Sequence, residues 1–189
     1  MDDGLETSAP VEEIKVPERD PFDGSSPFPP IASYAFLSDC ECNALVAPSG
    51  NVEWMCLPRP DGASVFGALL DRAAGSFRVG PADVMVPAGR RYLPGTNVLE
   101  TTWQTSTGWV IVRDALLMAP WYHDNERSAT HRRAPRDHEP EHVLLRTVKC
   151  VNGTVEFTLD CEPVFDYGAV GPEWDYDGPG YGKAIATAP

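Results

Sequence analysis

Alternating apolar and polar positions in the first half of the chain predict a β-hairpin. Residues 52–57 alternate, with Val52, Trp54 and Cys56 on one face and Glu53 on the other. A turn that contains a glycine separates this run from a shorter apolar run before it. Because glycine takes the positive φ of a tight turn at no steric cost, we expect the two runs to pair as antiparallel strands.

The segment after this hairpin predicts a loop and then a short helix. Residues 58–62 read Pro-Arg-Pro-Asp-Gly, and the two prolines end the strand because neither can donate to a sheet ladder. Ser64 is a helix-capping residue, and four apolar residues follow it at helical spacing as far as Leu70. We therefore expect one short helix directly behind the loop.

Two more hairpins are predicted in the second half. Residues 97–104 and 109–117 are rich in β-forming residues and flank a Ser-Thr-Gly turn. Residues 142–151 and 154–162 flank an Asn-Gly pair, which is the strongest short hairpin signal because a type I′ turn needs positive φ at both central positions. Every second residue of the last run is apolar, which marks its buried face.

Several antiparallel strands with almost no helix predict an all-β fold. We expect an antiparallel β-sandwich that is incomplete at its C-terminal end, because the sequence ends with no closing strand. The predicted core residues are Trp54, Val98, Val148, Phe157 and Leu159.

Composition divides the chain into three parts. Residues 1–30 are acidic and Pro-rich with few large apolar groups, so we expect a disordered leader that cannot offset its ordering entropy by burying surface. Residues 31–170 hold the predicted sandwich. Residues 171–189 are rich in glycine and proline and are predicted to be a tail or linker.

Charge and cysteine content narrow the function classes. The net charge of −13 argues against binding to nucleic acid or to an anionic membrane surface, because both need basic side chains. No apolar run approaches the roughly 20 residues of a membrane span. The first residues lack a basic region followed by an apolar stretch, so we expect no secretory signal. The five cysteines are therefore expected to be reduced structural thiols in the cytoplasm.

Blocks of residues stand along the chain in an order that is typical of one enzyme family. The first block contains Tyr34, Asp39, Cys40, Ala44, Leu45, Val46, Gly50, Val52, Trp54, Cys56, Leu57, Pro58, Arg59, Asp61, Ser64, Phe66, Leu69, Leu70 and Asp71. Later matches are Gly75, Phe77, the run 91–101, Asp114 and the Phe-Asp-Tyr-Gly motif at residues 165–168. Over residues 30–170 the chain thus resembles the N-terminal β-domain of glycoside hydrolase family 15, which comprises glucoamylases, glucodextranases and trehalase-type enzymes.

The resemblance implies a fold of the super-sandwich type and a role in carbohydrate hydrolysis. In this family both catalytic residues are glutamates on an (α/α)6 helical barrel that follows the β-domain. The chain contains no such helical region, so we assign no catalytic residue to it and expect the chain alone to be inactive. The expected partners are the catalytic barrel and a carbohydrate substrate, while the formation of a homo-oligomer stays open.

The acidic leader and an insertion at residues 121–141 resemble trehalases of the mycobacterial type, so the expected substrate is α,α-trehalose. That branch implies phosphate and magnesium, and the insertion carries a small basic patch of Arg127, Arg132, Arg133 and Arg136. No metal site is assigned, because a solvated loop is the expected place of His123, His131, His138 and His142. Two alternatives stay open, a glucoamylase or glucodextranase acting on α-glucans and a free-standing carbohydrate-binding or scaffold module.

Arg59 and Asp61 are the strongest local candidates for a functional role. They lie in a proline-braced loop at the end of a strand, where a rigid scaffold commonly presents functional loops. The resemblance places this loop near the interface with the catalytic barrel, so both residues are candidates for the rim of the substrate site. The alternative is a structural pair that only fixes this interface. Aromatic residues beside carboxylates at 174–177 and at Tyr181 are secondary candidates for sugar contact.

Overall fold

The computed structural model describes residues 28–117, 142–178 and 182–189. These residues form antiparallel strands and one short 3-10 turn at Ile31–Ser33. The strands are β1 (Ala35–Ser38), β2 (Asn43–Val46), β3 (Asn51–Cys56), β4 (Ser64–Phe66), β5 (Ser76–Pro81), β6 (Gly89–Tyr92), β7 (Leu99–Gln104), β8 (Gly108–Leu117), β9 (Val143–Gly153), β10 (Phe157–Glu162), β11 (Glu173–Asp177) and β12 (Lys183–Thr187). The predicted all-β antiparallel architecture is confirmed.

Two sheets contain most of these strands. The first has the order β1-β2-β3-β5-β10, with β4 also paired to β3, and the second has the order β6-β7-β8-β9. The predicted hairpins β2–β3 and β7–β8 are both present. The two sheets pack on each other through their apolar faces, and neither closes into a barrel, so the chain forms an open sandwich.

One core cluster joins the first three strands to the second sheet. Leu37 and Val46 of the first sheet are fully buried and pack in the same cluster as Leu99 and Leu116 of the second sheet. Val98 is half-buried and belongs to neither core cluster, so the prediction that it lies in the core is wrong; the next residue, Leu99, points inward instead. The first cluster therefore joins strands from the first part of the chain to β7 and β8, which lie much later in the sequence than β1.

A second core cluster surrounds the indole of Trp103. This side chain is completely buried and packs with Val79 of β5 and with Val110 and Val112 of β8. Phe157, another predicted core residue, is half-buried at the edge of the cluster. Because truncating a buried tryptophan costs about 3–5 kcal/mol, we regard Trp103 as a main stabilising contact between the two sheets.

A β-bulge in β3 changes which of its residues face the core. Val46 pairs with Val52, whereas Leu45 pairs with Trp54, so Glu53 is the extra residue of the bulge. Side chains beyond the bulge change face, and Trp54 lies half-buried outside both core clusters. The prediction that Trp54 belongs to the core is wrong. It was based on the alternation of apolar and polar residues, which gives the correct face only where the strand has no bulge.

Strand β4 takes the place of the predicted helix. Its residues pair antiparallel with the end of β3, which satisfies their backbone groups. A turn follows in which the Leu70 amide donates to the Gly67 carbonyl at 2.8 Å. Phe66 is buried whereas Leu70 is exposed, so the helical spacing does not correspond to one packed face. The helix prediction is wrong, because a run of this length gains little from helix formation alone.

The Asn-Gly pair at residues 152–153 does not close the predicted hairpin. Strand β9 pairs with β8, and β10 pairs with β5 in the other sheet. Gly153 has a φ of 68°, and the Thr154 amide donates to the Thr107 carbonyl at 3.2 Å. The dipeptide therefore turns the chain from the second sheet into the first. Strand β9 pairs with β8 rather than with β10, because the ten-residue β8 offers a longer partner than the six-residue β10.

The sandwich is open between β9 and β10. Val148 pairs with the buried Val112, and Leu159 pairs with the buried Val79, so both side chains point into the space between the sheets. They are nevertheless 48% and 68% exposed. The prediction that these two residues lie in the core is wrong for the described chain, because the inner faces of these two strands are only partly covered.

Part of the segment predicted as a tail forms a hairpin. Strands β11 and β12 pair antiparallel and make a small sheet separate from the other two. Glycine and proline content favoured a linker, whereas Trp174, Tyr176 and Ile185 supply β-forming side chains to this hairpin. The predicted leader lies outside the described residues as far as residue 27.

Candidate functional site

The loop that follows β3, residues 57–63, is held in a compact shape by its own backbone, and we call it the Arg59 loop. The Gly62 amide donates to the Arg59 carbonyl at 2.9 Å, and the Leu57 amide donates to the Ala63 carbonyl at 3.3 Å. A Cβ atom on Gly62 would lie 2.6 Å from the Leu57 carbonyl oxygen. This turn of the loop therefore requires glycine.

Arg59 and Asp61 project from this loop into solvent. The Arg59 Nε atom lies 3.5 Å from the Asp61 Oδ1 atom, and the side chains are 75% and 81% exposed. An exposed ion pair of this kind contributes about 0–1 kcal/mol, so it does not determine the shape of the loop. The structure thus brings the two predicted site residues together and leaves most of their hydrogen-bonding capacity for another group.

The Phe-Asp-Tyr-Gly motif at residues 165–168 forms a left-handed turn, which we call the Tyr167 corner. Asp166 and Tyr167 have φ angles of 50° and 56°, and Gly168 has a φ of 93°. The left-handed region costs a non-glycine residue about 1–2 kcal/mol. Such strain persists only where the surrounding structure enforces it, and it is concentrated at functional sites.

Close packing and backbone hydrogen bonds enforce this conformation. The Gly168 amide donates to the Phe165 carbonyl at 3.2 Å, and the Phe165 amide donates to the Val170 carbonyl at 2.8 Å. A Cβ atom on Gly168 would lie 2.7 Å from the Cβ atom of Ala74. The motif therefore needs its glycine in order to sit against the turn that precedes β5.

The Tyr167 corner contacts the Arg59 loop. The Tyr167 ring lies 6.4 Å from the Trp54 ring between centroids, with an interplanar angle of 32°. Its hydroxyl donates to the Gly62 carbonyl at 3.0 Å, across 105 positions of sequence. Sequence reasoning recognised both motifs but missed this contact, because no local pattern indicates which residue a distant tyrosine will reach.

Glu53, which the alternation placed on the face opposite Val52, is buried among hydrogen-bond donors. The Tyr34 hydroxyl donates to Glu53 Oε2 at 2.5 Å, Arg72 Nη1 lies 2.7 Å from Glu53 Oε1, and the Asn51 amide group also donates to Oε1. Burial and then the bond to Glu53 raise the pKa of Tyr34 to about 12. The carboxylate is thus occupied by structural partners, and we assign it no role in proton transfer.

His142 is buried rather than solvated, so the prediction for this histidine is wrong. Its Nδ1 atom lies 2.7 Å from Asp39 Oδ2, and both side chains are shielded from solvent. Burial alone would raise the pKa of Asp39, but the His142 bond and the amides of Cys42 and Glu41 outweigh burial and lower it. The pair anchors the start of β9 to the turn between β1 and β2.

The predicted basic patch and the other histidines form no anion or metal site in the described residues. The basic patch and the other three histidines lie outside them, as does the 121–141 insertion. Within the described ranges no three metal-ligating side chains converge, so the residues present there do not fit magnesium. The same ranges contain no helix that is long and apolar enough to cross a membrane.

All five cysteines are free, with Cys42 and Cys56 buried and Cys40 exposed.

Two aromatic residues that are candidates for sugar contact lie side by side on β11. The rings of Trp174 and Tyr176 are nearly parallel, with centroids 6.0 Å apart, and both are partly exposed. Sugar contact by this pair stays a prediction, and Tyr181 lies outside the described residues.

Comparison with known proteins places these observations in context. A family model described as "Trehalase-like, N-terminal" matches residues 19–116. The protein named Trehalase from Mycolicibacterium smegmatis is 64% identical over 163 residues, and the Trehalase from Mycobacterium tuberculosis is 61% identical over 163 residues. Each match covers 86% of this chain but only 24% of the relative. The Trehalase from Thermoplasma volcanium is 28% identical over 156 residues, which cover 82% of this chain and 23% of that relative. No solved structure matches the chain.

Proposed function

The chain belongs to the family of trehalase-like N-terminal domains, and from this premise we propose that it is the non-catalytic β-domain of an enzyme that hydrolyses α,α-trehalose to two molecules of glucose. The observation that carries the proposal is the 64% identity, over 86% of the chain, to a protein named Trehalase. The open β-sandwich supports it, because its exposed inner strands suit a domain that belongs to a larger assembly.

We place the chemistry in a separate part of that enzyme. Hydrolysis of a glycosidic bond needs two carboxyl groups that flank it, one to protonate the leaving oxygen and one to act as base or nucleophile. The relatives are about four times as long as the matched segment, since it covers 24% of each. The proposed catalytic partner is an (α/α)6 helical domain in that additional length.

The Arg59 loop is the proposed contribution of this domain to the substrate site. The planar guanidinium of Arg59 suits a pair of sugar hydroxyls or a carboxylate that lines the pocket. Asp61 would orient Arg59 or accept a hydrogen bond from a sugar hydroxyl. Their exposure supports this role, because neither group is consumed by a strong partner within the domain.

The proposal also includes the cofactors of the enzyme and its location in the cell. We assign phosphate and magnesium, which the family resemblance implies, to the enzyme as a whole and not to a site in the described residues. A cytoplasmic location is supported by the five free cysteines, because an oxidising compartment would favour their pairing.

The test is an activity assay on the complete polypeptide that contains this chain. It should release glucose from trehalose faster than from maltose or soluble starch, whereas purified residues 1–189 should release none from any of them. A preference for starch would favour a glucoamylase or glucodextranase instead. Sugar binding with no hydrolysis by the complete polypeptide would favour a carbohydrate-binding module.

A further inference from the structure

We propose that Tyr167 is a positioning residue that sets the shape of the Arg59 loop, so that the Tyr167 corner and the loop act as one unit. The consequence for catalysis rests on the function proposed above. The positioning itself does not, because it concerns contacts within this chain.

Gly62 is the point at which the corner controls the loop. Its amide is used inside the loop, where it donates to the Arg59 carbonyl, and its carbonyl accepts the Tyr167 hydroxyl. The peptide group that follows Gly62 is therefore fixed from outside the loop. The next residue, Ala63, accepts the Leu57 amide that closes the base of the loop.

The same tyrosine also contacts the strand that leads into the loop. Its ring packs against Trp54, which lies three residues before Leu57 on β3. Tyr167 thus contacts both the approach to the loop and its turn. Arg59 and Asp61 lie between these two fixed points, so the directions of both side chains depend on the tyrosine.

The left-handed backbone of the corner explains how a tyrosine reaches this position. Turns with positive φ normally use glycine, asparagine or aspartate, and a bulky tyrosine there is unusual. A relaxed backbone at Asp166 and Tyr167 would aim the ring elsewhere. The geometry points to a strained turn that is retained because it directs one side chain onto the loop.

The substitution Tyr167→Phe isolates the hydroxyl, because the ring can remain against Trp54. In the complete polypeptide, hydrogen exchange measured by mass spectrometry on peptides covering residues 57–63 should accelerate about fivefold, as expected for the loss of one hydrogen bond that restrains local opening. Tyr167→Leu, which also removes the ring, should accelerate it further. Exchange in the core strands should not change.

Tyr92→Phe is the matched control. Tyr92 is also an exposed tyrosine whose hydroxyl bonds to the backbone of a distant segment, at Phe36. Its variant should leave exchange of residues 57–63 at the wild-type rate. Wild-type exchange of this loop in Tyr167→Phe, or equal acceleration in Tyr92→Phe, would overturn the proposal.

Kinetics on trehalose separate this proposal from the proposed function. Faster loop exchange together with a raised KM and a nearly unchanged kcat would support both, because a misplaced Arg59 would weaken uniform substrate binding. Faster loop exchange with unchanged kinetics would support positioning and would remove the loop from the substrate rim.

Discussion

Arg146 of β9 and Asp114 of β8 form a buried ion pair within the second sheet, and Arg146 also bonds to the first. The Arg146 Nε atom lies 2.9 Å from Asp114 Oδ1, and the side chains are 4% and 1% exposed. The remaining donors of Arg146 reach across the sandwich to the carbonyls of Phe77 and Gly50 at 2.7 and 2.6 Å. One guanidinium thus connects β9 and β8 with β5 and with the turn between β2 and β3.

Removing Arg146 should destabilise the domain strongly. Arg146→Ala leaves the buried Asp114 carboxylate and two carbonyls without their donor, so we expect a loss of about 3–5 kcal/mol in the free energy of unfolding. Urea denaturation followed by tryptophan fluorescence measures it. Arg59→Ala is the control, because its exposed pair should matter by less than about 1 kcal/mol. Equal losses in the two variants would contradict the role of the buried pair.

Acid should destabilise the fold through Glu100 and Asp39. Hydrogen bonds from Arg91 and Arg113 lower the pKa of Glu100, and the pKa of Asp39 is also lowered, because its bonds outweigh the effect of burial. A carboxyl with a lowered folded pKa binds protons less readily in the folded state. Its contribution to stability is therefore complete above its unfolded pKa and is lost as pH falls through the folded value.

The free energy of unfolding should accordingly stay level from about pH 7 to about pH 5 and fall at lower pH. Glu100→Gln should flatten part of that decline, because glutamine does not titrate. Glu156→Gln, at an exposed position between β9 and β10, is the control and should leave the profile unchanged. Superimposable profiles for the wild type and Glu100→Gln would count against this account.

The phenol of Tyr34 should lose its proton at a higher pH than an exposed tyrosine does, and Glu53 should account for only part of this rise in pKa. Burial is the larger cause of its raised pKa of about 12, and the bond to Glu53 comes second. Glu53→Gln should therefore lower the pKa while keeping it above that of an exposed tyrosine. Ultraviolet difference titration measures it, with Tyr34→Phe to assign the signal. A pKa that returns to the ordinary value in Glu53→Gln would make the carboxylate the main cause.

Two glycines with similar backbones should respond differently to alanine. Gly50 and Gly95 have φ angles of 79° and 73°. A Cβ atom on Gly50 would lie 2.5 Å from the Val79 carbonyl oxygen. A Cβ atom on Gly95 would have no described neighbouring atom within 4 Å. Gly95→Ala should cost about 1–2 kcal/mol from backbone strain alone, and Gly50→Ala should cost clearly more. Urea denaturation of both variants tests this, and equal costs would show that strain and not crowding dominates at Gly50.

Local patterns in the sequence predicted the parts of the fold that depend on neighbouring residues. The β2–β3 hairpin was predicted because its turn glycine and both strands lie within one short segment. The bulge at Glu53 was not, because it arises from the register between β2 and β3 and reverses the faces that alternation assigns. The Asn-Gly pair carried a real turn signal, but pairing of β9 with β8 decided which sheet each strand joined.

In the candidate site, too, the features set by neighbouring residues could be predicted, whereas the long-range contact could not. Arg59 and Asp61 could be singled out because a proline-braced loop after a strand is visible in the sequence, and their exposure agrees with a loop position. Tyr167 could be recognised only as part of a motif. Its contact with Gly62 depends on three successive positive φ angles and on the packing of Gly168 against Ala74, which no local pattern specifies.

The last prediction concerns the role proposed for Arg59 in the complete polypeptide. In that proposed role Arg59 donates a charge-assisted hydrogen bond worth about 1.5–3 kcal/mol to the substrate, so kcat/KM of Arg59→Ala on trehalose should fall about ten- to hundredfold. Arg59→Lys should recover only part of this loss, because an ammonium cannot reproduce the planar fork. The variants are compared on trehalose, maltose and starch at matched folding stability.

Asp160→Asn is the control for this experiment, because Asp160 is an exposed charge on β10, which pairs with β5 and not with the strand that leads into the Arg59 loop. It should leave kcat/KM unchanged on every substrate. Unchanged efficiency in Arg59→Ala as well would remove the loop from the substrate rim and leave Arg59 and Asp61 as surface residues of the domain. A loss confined to starch would instead favour the α-glucan substrate, since the loop would then contact only the longer chain.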